Sequence, residues 1–459
     1  MSSTNYHIKQ FNDACLAHYS YAILSEQEVA LVDPARDPQP YYDWAEQHGA
    51  RIVAVIETHP HADFVSAHTE IARSTGATIY VSKLVDAGYP HQAFDDGHVL
   101  DLGKVQLHAM NTPGHSPDSI SILLTDQERQ VALFSGDTLF VGDVGRPDLR
   151  EKAGNITAKQ EELARMMYHT VQQRLKPLED QVVVYPAHGA GSLCGKSLST
   201  EASTTIGNER LTNYAFRPMT EEAFVRELTS DQPHIPKYFG HSVGLNRNGA
   251  PDYQASIQAV HRGGKLSAEA AVALVDPKTL IIDARNEAAF KQGHLEGAIN
   301  LQRGAKFDTW LGSIVGPQEA WILLAANEED LEYLISRAAA IGYEAQLKAA
   351  YLYDGAGASK TLAYANIDQL QAHPENYTIV DVRSASEAEE GQLFRNALVI
   401  PLPELRERMA EIPTDKPIMV HCAAGYRSAA GSSIIRAGLG DATAIFDVSE
   451  AVKSLPVLR

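Results

Sequence analysis

Two stretches of this chain, about a hundred residues apart, carry one pattern. The first runs Leu280-Ile-Ile-Asp-Ala-Arg-Asn-Glu-Ala-Ala-Phe290 and continues as Gly293-His-Leu-Glu-Gly-Ala-Ile-Asn-Leu301. The second runs Thr378-Ile-Val-Asp-Val-Arg-Ser-Ala-Ser-Glu387 and continues as Asn396-Ala-Leu-Val-Ile-Pro-Leu402. Each opens on an apolar strand ending in Asp-x-Arg, followed by a short helix and a second strand. Strands and helices alternating at this spacing build a parallel sheet, so the second half reads as a small α/β domain present twice. The shared order of elements points to duplication rather than chance similarity.

The first half has a different rhythm. Strand-length runs rich in β-branched residues, such as Val29-Ala-Leu-Val32, Ile52-Val-Ala-Val-Ile56, Ile120-Ser-Ile-Leu-Leu124 and Val182-Val-Val-Tyr185, are punctuated by turns. Helical patterns cover residues 40–48, 65–74 and 158–175. Mixed strands and helices over about 200 residues imply an α/β layered sandwich. Residues 231–253 are rich in Pro, Gly, Asn and His and read as a linker or long loop. The expected division is 1–230, a linker at 231–259, a first repeat copy at 260–356 and a second at 360–459.

At 459 residues, several domains are expected. A formal net charge of −19 argues against nucleic acid or an anionic membrane as partner. The three cysteines, Cys15, Cys194 and Cys422, cannot form a disulfide framework and fit a reducing compartment. No signal-peptide pattern opens the chain and no apolar run is long enough for a membrane span, so the expectation is a cytoplasmic protein.

Directly after the run ending at Glu57 comes Thr58-His-Pro-His-Ala-Asp-Phe64, which places His59, His61 and Asp63 at a strand end. His115 follows in Thr112-Pro-Gly-His115, Asp137 in Ser135-Gly-Asp137, and His188 in Tyr185-Pro-Ala-His188. A lone loop His is usually a polar surface residue. Several donors after successive strands, in one order, describe a metal site. Dinuclear zinc hydrolases of this pattern carry a further ligating His where this chain has Phe64, whose ring cannot donate to a metal.

Over about its first 230 residues the chain resembles the metallo-β-lactamase superfamily, and within it the persulfide dioxygenase branch. The stretch Gly136-Asp-Thr-Leu-Phe-Val-Gly-Asp-Val-Gly-Arg-Pro-Asp148 is similar to that branch as well. The resemblance implies an αββα sandwich holding one Fe(II) per chain on His59, His115 and Asp137, with His61, Asp63 and His188 in the surrounding layer. Two imidazoles and one carboxylate leave open positions on an octahedral iron. Zinc, the alternative metal, has no redox chemistry. The rival is a dinuclear zinc thioester hydrolase of glyoxalase II type, with Asp63, Asp137 and His188 on a second metal.

Cys194, a few residues past His188, reads either as a sulfur-carrying thiol or as a small loop filler. Lys196 could lower its pKa or bind a substrate carboxylate. Arg146 reads either as an anchor for an anionic thiol carrier such as glutathione or as a structural loop residue.

In Pro417-Ile-Met-Val-His-Cys-Ala-Ala-Gly-Tyr-Arg-Ser428 a strand delivers Cys422 into a tight loop that opens a helix of small residues. Backbone N–H groups there can face the sulfur and favour a thiolate and its persulfide, and Arg427 adds a cation. This loop and its repeat resemble rhodanese sulfurtransferases. Four residues separate Cys422 from Arg427, one fewer than in related phosphatases, which disfavours a phosphatase. The first copy brings Ala326 near the Cys position and puts acids in the loop, so it reads as inactive.

The whole chain is thus similar to persulfide dioxygenase–rhodanese fusions. The resemblance implies oxidation of a low-molecular-weight persulfide by O2 to sulfite and thiol. It also implies sulfur transfer through Cys422 that makes or uses thiosulfate, a role in sulfide detoxification and a homo-oligomeric assembly. A non-catalytic sulfur-binding or redox-sensing role for the C-terminal copies is the other alternative.

Overall fold

The computed structural model describes residues 5–149, 159–276 and 278–455. Its chain divides into two compact units. One comprises Met1–Ser256 with Ala339–Gly342, the other Ile257–Ala338 with Tyr343–Arg459.

The first unit is built on two six-stranded sheets. One begins with the antiparallel strands His7–Asp13, His18–Ser25 and Glu28–Val32, to which Arg51–Ile56 and Thr78–Val81 add in parallel. The other holds Val105–Asn111, Ile120–Asp126, Arg129–Gly136 and Val183–Pro186 among its strands. Period-two alternation explains the layering. Ile120, Ile122 and Leu124 face Ala30, Val32, Ala54 and Ile56 in the core shared by the sheets, while Leu123 joins the outer core with Ala164, Met167 and Val171. Strand Arg51–Ile56 breaks the alternation, since Ile52 and Val55 both lie in the core with Tyr41, Trp44 and Ile71. A register shift between Val29 and Ala30 on the neighbouring strand marks a bulge, which puts the two side chains on one face. The result is helix, sheet, sheet, helix, as expected. The long helix is described from Gln160 to Thr170 and continues as a π-helical turn to Leu175; Ala158, its expected start, lies outside the described residues.

The second unit contains the duplicated fold. Its two five-stranded parallel sheets share one order: Arg262–Lys265, Leu347–Leu352, Trp321–Ala325, Leu280–Asp283 and Ile299–Asn300 in one, and Ala363–Tyr364, Ile445–Asp447, Ile418–His421, Thr378–Asp381 and Leu398–Val399 in the other. The Asp-x-Arg signature has the same physical role in each. Arg285 grips Asp283 through Nε (2.9 Å) and Nη2 (2.6 Å) and donates to the Gly293 carbonyl. Arg383 does the same with Asp381 (3.0 and 2.6 Å) and the Gly391 carbonyl.

Residues 231–253, expected as a linker or long loop, contain the helix Phe239–Asn248, and a second helix, Tyr253–Ala259, follows. The polar composition that suggested a loop serves buried backbone instead. The buried Asn246 donates through Nδ2 to the carbonyls of His61 (2.8 Å) and Phe64 (2.7 Å), and its Oδ1 accepts from Ser66 N (2.7 Å). Tyr238 Oη donates to the Asp63 carbonyl. Asn246→Ala leaves three buried backbone groups unpaired and should lower the unfolding free energy by roughly 2–4 kcal/mol, measured by denaturant titration.

Candidate metal centre and sulfur-transfer loop

His59 lies just past strand Arg51–Ile56, His115 before Ile120–Asp126, Asp137 just past Arg129–Gly136, and His188 just past Val183–Pro186. The strand ends bring together His59, His115 and Asp137, whose donor atoms all lie within 4.8 Å of one another in a buried setting. Asp137 Oδ2 sits 3.7 Å from His59 Nε2 and 3.6 Å from His115 Nε2. It is buried and has no hydrogen-bond partner among the described residues, a costly arrangement unless a cation completes it.

The ring tautomers suit ligation. His115 Nδ1 donates to the Arg146 carbonyl at 2.9 Å, leaving its lone pair on Nε2. Thr58 Oγ1 donates to Asp33 Oδ2 (2.8 Å) and therefore accepts from His59 Nδ1 (3.0 Å), again leaving Nε2 as the ligand atom. Asp33 also accepts from Thr58 N at 2.7 Å. Gly136, at φ +53°, lets the next strand approach this brace, since a Cβ there would fall 2.5 Å from Thr58 Oγ1.

His188 sits between two carboxylates, with Nδ1 donating to Asp137 Oδ1 at 2.6 Å and Nε2 2.7 Å from Asp63 Oδ2. Burial would push this imidazole down, but Asp137 and Asp63 hold it well above the usual His value. Burial would likewise raise Asp137, yet His188, His115 and His59 keep it well below the ordinary carboxylate range. His61 turns elsewhere, its Nε2 3.1 Å from Asp33 Oδ1 and 4.0 Å from Glu57 Oε2. Phe64 is buried, with ring centroids 3.8 Å from His18 and 4.4 Å from His61.

Three expectations about the neighbouring residues change. The Arg146 guanidinium donates to both Asp148 oxygens and to the Leu193 and Pro233 carbonyls, so an anionic carrier finds it already committed. Lys196 Nζ donates to the carbonyls of Glu227 and Ser230 rather than to Cys194. Cys194 is buried in a group with Asp63 and His188, and burial followed by the charges of Asp63 and Asp137 pushes its thiol well above the usual range. That environment favours the protonated thiol over a nucleophilic thiolate. Asp33, Thr58, Tyr238, Asn246 and the Arg146 carbonyl are the contributors the motifs did not reveal.

In the second unit Cys422 is buried at the end of strand Ile418–His421, and Gly425 N donates to its sulfur at 3.1 Å. Gly425, at φ +104°, opens the helix Tyr426–Leu439, and a Cβ there would meet Glu450 N at 3.0 Å. Arg427 is not a lone cation. It donates to both Glu387 oxygens at 2.6 and 2.7 Å, and this pairing holds the Glu387 carboxyl down at about 2. In the first copy, register against the Asp-x-Arg strand aligns Ala325, not Ala326, with Cys422: Asp283 pairs with Leu324 as Asp381 pairs with His421. Asp330 then stands where Arg427 does, and Ala289 where Glu387 does.

The metallo-beta-lactamase superfamily model matches residues 14–188, and the rhodanese-like domain model matches residues 267–358 and again 359–452. A crystal structure of a metallo-beta-lactamase from Staphylococcus aureus is 32% identical, with a TM-score of 0.69, over 76% of this chain and all of that one. The chain belongs to the metallo-beta-lactamase superfamily. This superfamily member carries two rhodanese-like domains after its sandwich, as the duplicated pattern implied. Its sandwich is also 26% identical to the mitochondrial persulfide dioxygenase ETHE1 of Bos taurus, over 49% of this chain and 79% of that protein. It is 34% identical to a cytoplasmic hydroxyacylglutathione hydrolase of Arabidopsis thaliana, over 30% of this chain and 56% of the relative.

Thr58→Val, which removes the link between Asp33 and His59, should weaken metal retention by about 10- to 100-fold, read as metal per chain after dialysis against a graded chelator. Cys194 should react with iodoacetamide at pH 7 more slowly than the half-buried Cys15. Its rate should rise as the medium becomes more alkaline, because the thiol must first ionise; peptide mass spectrometry resolves the two sites.

Proposed function

We propose that the sandwich is a non-haem Fe(II) persulfide dioxygenase and that the Cys422 domain is a sulfurtransferase acting on the same pool of sulfur. The observation carrying the reading is the buried His59, His115 and Asp137 group with its unpartnered Oδ2. The similarity to a persulfide dioxygenase supports it. Iron held by those three residues would bind and activate dioxygen, and the outer sulfur of the persulfide would supply the electrons that reduce it (RSSH + O2 + H2O → RSH + SO3²⁻ + 2 H⁺).

The chain's own groups hold the ligands in register. His188 donates to Asp137 Oδ1 and so aims Oδ2 at the two imidazoles. The Arg146 carbonyl and Thr58 hydroxyl fix the His115 and His59 tautomers. Phe64 lies tilted against the rings of His18 and His61, an apolar neighbour that can donate to no metal.

At the second site the Cys422 thiolate attacks the outer sulfur of RSSH, forming Cys422–S–SH and releasing RS⁻. Sulfite then attacks that terminal sulfur, the Cys422 S–S bond breaks, and thiosulfate and a proton leave with the thiolate restored. The Gly425 N–H stabilises negative charge on the Cys422 sulfur at both steps. The partners are thus a small persulfide such as glutathione persulfide, O2 and sulfite or thiosulfate.

A zinc thioester hydrolase is the second reading, favoured by the further donors Asp63, His188 and Cys194 and by the likeness to a hydroxyacylglutathione hydrolase. Oxygen uptake by Fe(II)-loaded protein on adding glutathione persulfide separates the two. Uptake should fall at least about 100-fold in His115→Ala, and Cys422→Ser should turn the product from thiosulfate to sulfite. Thioester cleavage by zinc-loaded protein without such uptake favours the hydrolase.

A further inference from the structure

The first rhodanese-like copy lacks a cysteine at the reactive position, yet it reaches the loop of the second copy within the same compact unit. Its short helix Glu287–Gln292 supplies Glu287 and Lys291. Lys291, only 5% exposed, lies 2.7 Å from Oδ2 of the fully buried Asp447, which ends strand Ile445–Asp447 of the second copy. Asp447 Oδ1 accepts from Ser449 N at 2.8 Å. Ser449 Oγ donates back to the first copy, at 2.7 and 2.9 Å from the two Glu287 oxygens.

Ser449 has φ +51°, a left-handed conformation that is strained for a residue with a β-carbon and persists where neighbours hold it. The held segment, Ser449 and Glu450, is the surface against which Gly425 packs, and Gly425 N–H is the donor to Cys422 Sγ. Beside it, Tyr426 Oη donates to the Gln302 carbonyl of the first copy at 2.8 Å. The equivalents of Glu287, Lys291 and Asp447 by repeat register are Ala385, Glu389 and Ala350, so the network runs in one direction, from the degenerate copy to the other's loop.

We infer that Glu287 and Lys291 are positioning residues for sulfur transfer: the first copy fixes the Asp447–Ser449 turn, which sets the Gly425 N–H against the Cys422 sulfur. This rests on the sulfurtransferase reading of Cys422. The test uses the full chain carrying Glu287→Ala, Lys291→Met or Lys291→Arg. It measures sulfur transfer from glutathione persulfide to sulfite and, separately, the rate at which iodoacetamide alkylates Cys422, read by peptide mass spectrometry.

Glu287→Ala and Lys291→Met should lower kcat by about threefold to tenfold, the loss of one hydrogen bond's worth of alignment, with KM moving less than about twofold. Both should slow alkylation, and Lys291→Arg should restore both rates. Wild-type kcat and alkylation in folded Glu287→Ala and Lys291→Met would overturn the inference. Lys291→Met leaves Asp447 buried without its cation and is the variant at risk of unfolding; if it does not fold, Glu287→Ala, whose side chain is 22% exposed, decides alone. A wild-type protein that transfers no sulfur would remove the sulfurtransferase reading, while the alkylation rates still decide the positioning.

Discussion

The two oxygens of the Asp137 carboxylate have different jobs, and the candidate metal centre is arranged around that division. Oδ1 is tied to His188, itself held from the far side by Asp63, while Oδ2 is left facing the Nε2 atoms of His59 and His115. Were both oxygens equally solvated, nothing would set the direction of the open one. The buried, charge-assisted contact to His188 does so, because a short hydrogen bond in a low-dielectric interior strongly penalises rotation of the carboxylate. Asp33 plays the same part for His59 through Thr58, and a carbonyl plays it for His115, so each donor has a partner that does not itself face the centre.

Duplication in the second unit kept the frame and let the chemistry diverge. The Asp-x-Arg brace is superposable in kind, with matching strand order and matching bonds to a following glycine carbonyl. What differs lies at the loop after the fourth strand in chain order and on the short helix after the second. Cys422, Arg427 and Glu387 are replaced by Ala325, Asp330 and Ala289, so the reactive sulfur and both halves of the ion pair beside it are missing together. Losing one partner alone would leave a half-buried charge uncompensated, which explains why the pair is absent as a unit. Asp330 instead pairs with Arg303.

The candidate metal ligands were legible in the sequence because they lie in short His- and Asp-bearing motifs in the loops between strands, where the motif records the geometry. The fold class was legible for the same reason, through alternation in the first half and repetition in the second. Asn246 and Tyr238 were not legible, since they act on a loop more than 170 residues away and lie in a segment whose Pro, Gly and Asn content imitates a linker. Arg146 misled because its contribution to the site is made by its carbonyl, which any residue could supply, while its guanidinium serves the loop. The one-residue error at Ala326 arose because a strand's apolar run does not reveal which residue pairs with the Asp of its neighbour; only the ladder does.

The bonds from Asn246 to His61, Phe64 and Ser66 bear on where this chain can be divided. A cut near residue 230, which composition invites, would sever the loop of residues 61–66 from the side chain that satisfies its backbone. The excised fragment would hold His59, His115 and Asp137 and still lack the scaffold that shapes the loop beside them. Proteolytic or recombinational exchange of modules in this lineage would therefore preserve function only with a seam beyond Asn248, so the heritable module is longer than its motif map.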